Sequence, residues 1–261
     1  MQPQTVQRLR DYIHFAYPCR PWDEIKIDAG FLDPGYYRMF GQWHRGIDIN
    51  GIGGGDTDLG LPVQSMFPGT ILELATPENW RGYGQTVLVR SDAWVAEFVG
   101  ALLDQYLPVL DVQYAHLYQV TVRGGDRINA GDHLGSIGKG DRNQYLAHLH
   151  LEVRQQPAPV IVRQGSNDEN RAMVAEQCLD PTLVLATVPF ADYATVLPAR
   201  RAVAPMRKLV HNDVVIDGER TLIMNHNGRV GYLYDQRPPQ PQPQSFFDAL
   251  RLAVRLWQDR L

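Results

Sequence analysis

The chain contains little cysteine and no excess of positive charge. Its 261 residues include 2 cysteines, Cys19 and Cys178, which could form one disulfide or remain two free thiols. Cysteine usage therefore leaves the cellular compartment open. The formal net charge of -4 provides no basic surface of the kind that binds nucleic acid, so we expect no nucleic-acid partner.

Long apolar runs are also absent. The most apolar stretch, 95–110, is interrupted by Glu97, Asp104 and Gln105, and we expect no transmembrane segment. The opening segment, MQPQTVQRLRDYIHFAYP, lacks the basic start and unbroken apolar stretch of a secretory signal. We expect either a mature or shortened form of the protein, or export by another route such as that of a phage enzyme.

The composition and the spacing of turn residues predict a mainly β fold. Hydrophobic residues make up 44% and charged residues 21%, as is usual for a globular protein. Between 39 and 186, short strand-like segments alternate with glycine-rich turns, a pattern typical of an all-β domain. We predict an antiparallel, sandwich-like β core over 39–186, with one inserted helix over 91–107. Ser91 would cap this helix and Pro108 would end it, and the helix would serve as a packing element or a lid.

The two ends of the chain differ from 39–186 in composition and in residue pattern. Residues 5–16 show helical spacing and 18–41 is rich in Pro, Gly, Asp and Tyr, so we predict an N-terminal helix and a wrapping loop over 1–38. The segment 187–261 predicts a small α+β appendage of short strands, a Pro/Gln linker and a helix from Ser245. No chemistry is evident in this appendage, and we expect it to dock onto the main domain or onto a partner.

The segment YLAHLHLEVR, residues 145–154, predicts a strand with two different faces. Successive strand residues point to opposite sides, so His148, His150 and Glu152 share one face. The alternating Leu149, Leu151 and Val153 share the other face. One face is therefore suited to chemistry and the other to the core, and Glu152 could hold a ligand imidazole through its second nitrogen.

A second polar pair lies about a hundred residues upstream. His44 and Asp48 are four apart, and Gly46 with the β-branched Ile47 and Ile49 favours an extended chain there. A catalytic zinc site needs three ligands from His, Asp or Glu and one open position. His44, Asp48 and one histidine of the His148/His150 pair would supply such a set.

The order of these motifs resembles the lysostaphin and LytM-like zinc endopeptidases, which are peptidoglycan hydrolases. The resemblance covers 39–186 and rests on HRGID, YAHL, GGDRINAGDHLGSIGKG, HLHLEVR and a following Asp-Pro. It implies the fold of that family, with one zinc ion per chain bound by His44, Asp48 and His150. It also implies that His148 is the general base and that His116 stabilises the developing oxyanion.

Three features depart from the family pattern. The usual Ser-Thr-Gly-Pro before His-x-His is replaced by 143–147, the glycine loop 51–60 is long, and 91–107 is an insertion. We expect all three to border the substrate groove and to affect specificity.

The resemblance implies a zinc metalloendopeptidase acting on a cross-bridge or stem peptide of bacterial peptidoglycan. An activity of that kind places the protein in the cell envelope or outside the cell. The alternative is a catalytically inactive member of the same fold that binds and activates a cell-wall amidase.

Overall fold

The computed structural model describes residues 13–75, 83–156, 170–191, 221–224 and 230–233. The strands are β1 (Phe15–Ala16), β2 (Ile25–Ala29), β3 (Ile47–Gly51), β4 (Pro62–Gln64), β5 (Gly69–Ala75), β6 (Gln85–Ser91), β7 (Asp111–Tyr118), β8 (Arg127–Ile128), β9 (His133–Ile137), β10 (Leu149–Arg154), β11 (Cys178–Leu179), β12 (Phe190–Ala191), β13 (Thr221–Met224) and β14 (Val230–Leu233). The α-helices are α1 (Pro34–Phe40), α2 (Ala93–Leu102), α3 (Arg171–Gln177) and α4 (Pro181–Thr187). Short 3-10 helices cover Trp22–Glu24 and Asp141–Asn143.

An antiparallel sheet forms the body of the molecule, as predicted. Its main path runs β2-β3-β10-β7-β6-β5-β8, with β11 paired to β10, and β9 paired to both β7 and β4. Every residue of β10 is buried, and Leu149, Leu151 and Val153 belong to the hydrophobic core. The predicted division of this strand into a core face and a polar face is confirmed.

The prediction for 1–38 is wrong where the structure describes it. Phe15 and Ala16 form a short strand parallel to Phe190 and Ala191, and the start of the predicted helix lies outside the described residues. The predicted wrapping loop contains β2, which pairs with β3, and the helix α1. Helix α1 has ordinary end signals, because Asp33 caps its start with Pro34 following and Gly41 ends it in the left-handed region.

The inserted helix is shorter than predicted and belongs to the core. It begins after Asp92, because Ser91 still pairs with Gly69 in the sheet. It ends near Leu103, where Asp104 adopts a positive φ of 54°, well before Pro108. The buried Phe98 ring lies 6.1 Å from that of Phe15, so packing rather than closure is its role.

The C-terminal appendage is described only in part. β13 and β14 form an antiparallel hairpin, which confirms two of the predicted short strands. The predicted strand at 208–217, the Pro/Gln linker and the helix from Ser245 lie outside the described residues. Within the described part of the chain, none of the helices is long and apolar enough to cross a membrane. Cys19 and Cys178 are both buried, and neither forms a disulfide.

Candidate metal centre

Three adjacent strands place the polar residues of the site. β10 lies between β3 and β7, and His150 pairs with Asp48 on one side and Ala115 on the other. His44 lies just before β3, where its carbonyl oxygen accepts a hydrogen bond from the backbone N–H of Leu32 at 2.9 Å. The ladder therefore carries Asp48 and His150 into register across a long separation in sequence.

His44, Asp48 and His150 meet at one point. Asp48 Oδ1 lies 2.9 Å from His150 Nδ1 and 3.2 Å from His44 Nε2, and the two ring nitrogens are 3.1 Å apart. Within the described residues, these three form the group of His, Cys, Asp or Glu side chains whose ligand atoms lie close enough to hold a metal ion. Both imidazoles are buried, while the carboxylate is partly exposed to solvent.

The outer nitrogen of each imidazole faces an oxygen. His44 Nδ1 lies 2.9 Å from the carbonyl oxygen of Gly30, and His150 Nε2 lies 3.4 Å from Oε1 of Glu152. Neither a carbonyl nor a carboxylate can donate, so these outer nitrogens carry the hydrogen. In the neutral rings, Nε2 of His44 and Nδ1 of His150 then present lone pairs toward Asp48.

This donor set fits a zinc ion. Zinc with four ligands at about 2.0–2.1 Å in a tetrahedron places neighbouring ligand atoms about 3.3 Å apart. The three separations of 2.9 to 3.2 Å are close to that value, with two imidazoles and one carboxylate as donors. Oxygens that orient ligand imidazoles are a common support of such centres.

The charges around the site favour an ionised Asp48. Burial acts to raise the pKa of its carboxyl, but the charges and hydrogen bonds of His44 and His150 prevail and hold the pKa well below its usual value. Burial likewise acts to lower the pKa of His150, yet its bonds to Asp48 and Glu152 raise that pKa to about 9. In the absence of a cation, a proton on His150 thus balances the carboxylates.

A buried polar network around Glu152 supports His150. Glu152 is fully buried, accepts from Gln113 Nε2 at 3.1 Å and from Arg154 Nε at 3.0 Å, and lies 3.7 Å from Arg45 Nε. Burial acts to raise the pKa of Glu152, but the guanidinium of Arg154 and the imidazole of His150 lower it far below its usual value. Arg45, which directly follows His44 in sequence, is a buried member of this network.

His116 and His148 lie beside the cluster of His44, Asp48 and His150. Their ring centroids are 4.5 Å apart, and His148 Nε2 lies 3.8 Å from Asp48 Oδ1. Each ring donates Nδ1–H to a backbone carbonyl, His116 to Tyr83 at 2.8 Å and His148 to Leu146 at 2.8 Å. Burial, with the neighbouring His148 and His150, lowers the pKa of His116 well below its usual value.

The backbone between these two histidines is tightly packed. His116 adopts a positive φ of 61°, an unusual conformation for a residue with a side chain. Gly138 pairs with His148, and a Cβ at Gly138 would lie 2.6 Å from the carbonyl oxygen of His116. A glycine is therefore needed to bring the two histidine backbones together.

Asp48, His116, His148 and His150 line an open cleft of about 820 Å³, whereas His44 does not line it. Helix α1 contributes Tyr36, Met39 and Phe40 to one wall, and the segment before β10 contributes Gln144, Tyr145 and Leu146. Tyr36 also stacks on His44, with ring centroids 4.4 Å apart. The cap signals of α1 could have revealed the first wall, which sequence reasoning missed.

Two of the three segments expected to border the groove do not line it. Of the described residues, none from 51–60 or 91–107 contacts the cleft. Loop 51–60 instead contacts the segment before β10, since Asp56 accepts a hydrogen bond from the backbone N–H of Ala147 at 2.9 Å. His133 lies outside the cleft beside Thr121, His14 is a buried residue outside the lining, and His211 and His226 are not described.

Comparison with known proteins gives a family and a set of distant structures. Residues 42–162 match peptidase family M23. A zinc-containing peptidase from Vibrio cholerae is 21% identical with a TM-score of 0.38, over 59% of this chain and 41% of that one. The catalytic domain of the prophage-encoded M23 protein EnpA from Enterococcus faecalis is 17% identical with a TM-score of 0.40, over 64% and 95%. Lysostaphin from Staphylococcus simulans is 16% identical with a TM-score of 0.41, over 82% and 63%.

These matches also have limits. None of the curated protein sequences matches the chain, and the chain spans less than half of the length of the Vibrio cholerae peptidase. The family assignment therefore rests on the match over 42–162, which includes His44, Asp48, His116, His148 and His150. Through that segment the chain is similar to peptidase family M23.

Proposed function

We propose that this protein is a zinc-dependent endopeptidase that hydrolyses peptide bonds of bacterial cell-wall peptidoglycan. One observation carries the proposal: His44 Nε2, Asp48 Oδ1 and His150 Nδ1 converge within 3.2 Å of one another beside a cleft that also holds His116 and His148. The match of 42–162 to peptidase family M23 supports the reaction class. Such an activity would be exercised in the cell envelope or outside the cell.

His44, Asp48 and His150 would hold the zinc ion, one per chain. When bound, zinc supplies a Lewis acid that polarises the scissile carbonyl and lowers the pKa of an attacking water. The protein's own contribution is to fix these ligands, through Gly30 for His44 and through Glu152 for His150. The partly exposed Asp48 leaves the centre open to the cleft.

His148 is the general base in this proposal. Its Nδ1–H is held by the carbonyl oxygen of Leu146, so the neutral ring offers the lone pair of Nε2, which lies 3.8 Å from Asp48 Oδ1. A neutral imidazole in this position can take a proton from the attacking water and return it to the leaving amine.

His116, which the resemblance makes the stabiliser of the developing oxyanion, lies beside His148. Its Nδ1–H is donated to Tyr83, so Nε2 of the neutral ring is an acceptor. Burial, with the neighbouring His148 and His150, lowers the pKa of His116 and so favours the neutral ring. We infer that His116 assists proton transfer at His148, whose ring centroid lies 4.5 Å away.

Digestion of defined muropeptides from several wall types, with products identified by mass, tests the proposal. We expect cleavage at one type of peptide bond and none by His148→Ala. His133→Ala is the matched control, because His133 lies outside the cleft, and it should cleave at the wild-type rate. Cleavage of no muropeptide by the zinc-loaded protein would contradict the proposal and favour a regulator of a wall amidase.

A further inference from the structure

One peptide group in the cleft wall connects a surface loop to the proposed general base. The carbonyl oxygen of Leu146 accepts the Nδ1–H of His148 at 2.8 Å. The N–H of the same peptide group belongs to Ala147 and is donated to Asp56 Oδ1 at 2.9 Å. Because a peptide group is planar and trans, its C=O and N–H point in opposite directions. Asp56 and the imidazole of His148 therefore hold this peptide group from opposite sides.

Asp56 is itself fixed through both of its carboxylate oxygens. Oδ2 lies 2.6 Å from Nζ of Lys139, while Oδ1 accepts from Ala147. The carbonyl oxygen of Lys139 accepts the backbone N–H of Tyr145 at 3.1 Å, so the two ends of the turn before β10 are tied together. The bonds from Lys139 and Ala147 hold the pKa of Asp56 below its usual value, so the group is a carboxylate at neutral pH.

Two of the departures from the family pattern meet at this peptide group. The long glycine loop 51–60 supplies Asp56, and Ala147 stands where the family pattern has a proline directly before His-x-His. Proline has no N–H, so it could not donate to a carboxylate there. The end of the loop is fixed against β9, because the N–H of Gly60 is donated to the carbonyl oxygen of Ile137 at 2.9 Å. The loop does not line the cleft, yet it contacts the backbone that holds the proposed base.

The proposed reaction depends on which ring nitrogen of His148 carries the hydrogen. The general base must present the lone pair of Nε2, which requires a hydrogen on Nδ1 and an acceptor for it. A hydrogen bond donated by a peptide N–H makes the carbonyl oxygen of the same group a stronger acceptor, because connected hydrogen bonds polarise one another. An ionised acceptor such as the Asp56 carboxylate makes the stronger bond to that N–H. The carboxylate therefore favours the Nδ1–H form of His148 and fixes its orientation.

We propose that Asp56 is a positioning residue for the general base. Its carboxylate holds the peptide group between Leu146 and Ala147, and the carbonyl oxygen of that group keeps His148 oriented with its hydrogen on Nδ1. The inference rests on the proposed peptidase function, in which His148 takes a proton from the attacking water. No proton passes to Asp56, which acts only through the peptide group.

The first test is Asp56→Ala, which removes the acceptor of the Ala147 N–H. We expect kcat on a cleaved muropeptide to fall about 10- to 100-fold, since a small displacement of a catalytic group has effects of this order. KM should change less than kcat, and the zinc content should not change. NMR spectra of the ring nitrogens in the zinc-loaded protein, at a pH where the ring is neutral, should show His148 as the Nδ1–H tautomer in wild type and as a mixture of tautomers in the variant.

Two milder variants separate the hydrogen bond to the peptide group from the ion pair. Asp56→Asn keeps an oxygen that can accept the peptide N–H, and Lys139→Met removes only a partly exposed ion pair, so kcat should fall by no more than about threefold in either. Asp92→Ala is the matched control, because it removes a carboxylate that lies 2.6 Å from Arg127 and outside the cleft. This variant should keep the wild-type kcat.

Equal losses in Asp56→Asn, Lys139→Met and Asp56→Ala would overturn the inference, because the ion pair rather than the peptide hydrogen bond would then be responsible. A wild-type kcat and a wild-type tautomer in Asp56→Ala would overturn it as well. If the wild-type protein cleaves no muropeptide, the proposed function fails. The tautomer of His148 in Asp56→Ala then still decides whether Asp56 positions this ring.

Discussion

Asp48 Oδ1 lies 2.9 Å from His150 Nδ1, and the two residues face each other directly across the β3–β10 ladder. The register of two antiparallel strands therefore determines the geometry of the proposed zinc site. A slip of one residue would turn His150 to the core face and Leu149 or Leu151 toward Asp48. The buried leucines on the opposite face oppose such a slip, so the core and the site stabilise the same register.

Replacement of Glu152 by Gln should weaken zinc binding by about 10- to 100-fold, because His150 loses the carboxylate at its outer nitrogen. It should also cost about 3–5 kcal/mol of the free energy of unfolding, since Arg154 and Arg45 lose a buried anionic partner. Chelator competition and urea unfolding measure the two effects. Glu97→Gln, on the exposed side of α2, is the control and should change neither quantity. Unchanged zinc affinity in Glu152→Gln would show that Glu152 does not support zinc binding by His150.

Gly138→Ala should lower kcat at least tenfold while zinc remains bound. The added Cβ would lie 2.6 Å from the carbonyl oxygen of His116, so the backbone that separates His116 from His148 must shift. Overpacking of this kind costs about 1–3 kcal/mol, which thermal unfolding would detect. Gly124→Ala adds the same methyl group where nothing lies within 4 Å and should behave as wild type. Equal kcat in the two variants would show that the spacing of the histidines does not depend on Gly138.

Thiol titration should find Cys19 and Cys178 unreactive in the native protein at pH 8 and about two reactive thiols after unfolding, because both are buried and neither forms a disulfide. Burial, with a contribution from the charge of Asp58, raises the pKa of Cys19 to about 12. The unfolded thiol ionises near its usual value of about 8.5, so this group contributes stability below that pH. That contribution is lost as the pH rises from about 8.5 toward 12. Rapid labelling of native protein at pH 8, or no thiols after unfolding, would contradict two buried cysteines without a disulfide.

Phe98→Ala should destabilise the protein by about 3–5 kcal/mol, because α2 packs its fully buried aromatic ring into the core. At a temperature where the variant is folded, kcat and zinc content should match the wild type. Phe40→Ala gives the opposite pattern, since Phe40 is 56% exposed and lines the cleft: little loss of stability and a higher KM. A fall in kcat for folded Phe98→Ala would contradict a packing role for α2 and favour a role as a lid.

Local sequence patterns account for the polar strand but not for the whole site. The period of two along β10 was enough to place His148, His150 and Glu152 on one face, because strand geometry is local. Bringing Asp48 to His150 across 102 residues depends on strand pairing, and in the sequence only the ordered family motifs indicated it. Neighbours in sequence need not share a role. Arg45 directly follows the proposed ligand His44, yet it belongs to the buried network around Glu152.

Sequence reasoning missed two other features of the cleft. Helix α1 carries cap signals at Asp33, Pro34 and Gly41, but its short length and high aromatic content resemble a loop. The unpaired hydroxyl of the cleft-lining Tyr83 is a property of everything packed around it, so no pattern in the sequence can reveal it. Whether a side chain can act as a donor or as a base depends on the hydrogen bonds that it already makes, and these are known only from the structure.

The central claim is that His44, Asp48 and His150 hold the zinc ion while His148 moves the proton, and measurement of zinc content alongside muropeptide cleavage in His148→Ala tests it most directly. We predict about one zinc per chain in wild type and in His148→Ala, with cleavage lost only in the variant. Loss of zinc from His148→Ala would contradict the division between ligands and base. Absence of zinc affinity in the wild-type protein would contradict the account as a whole.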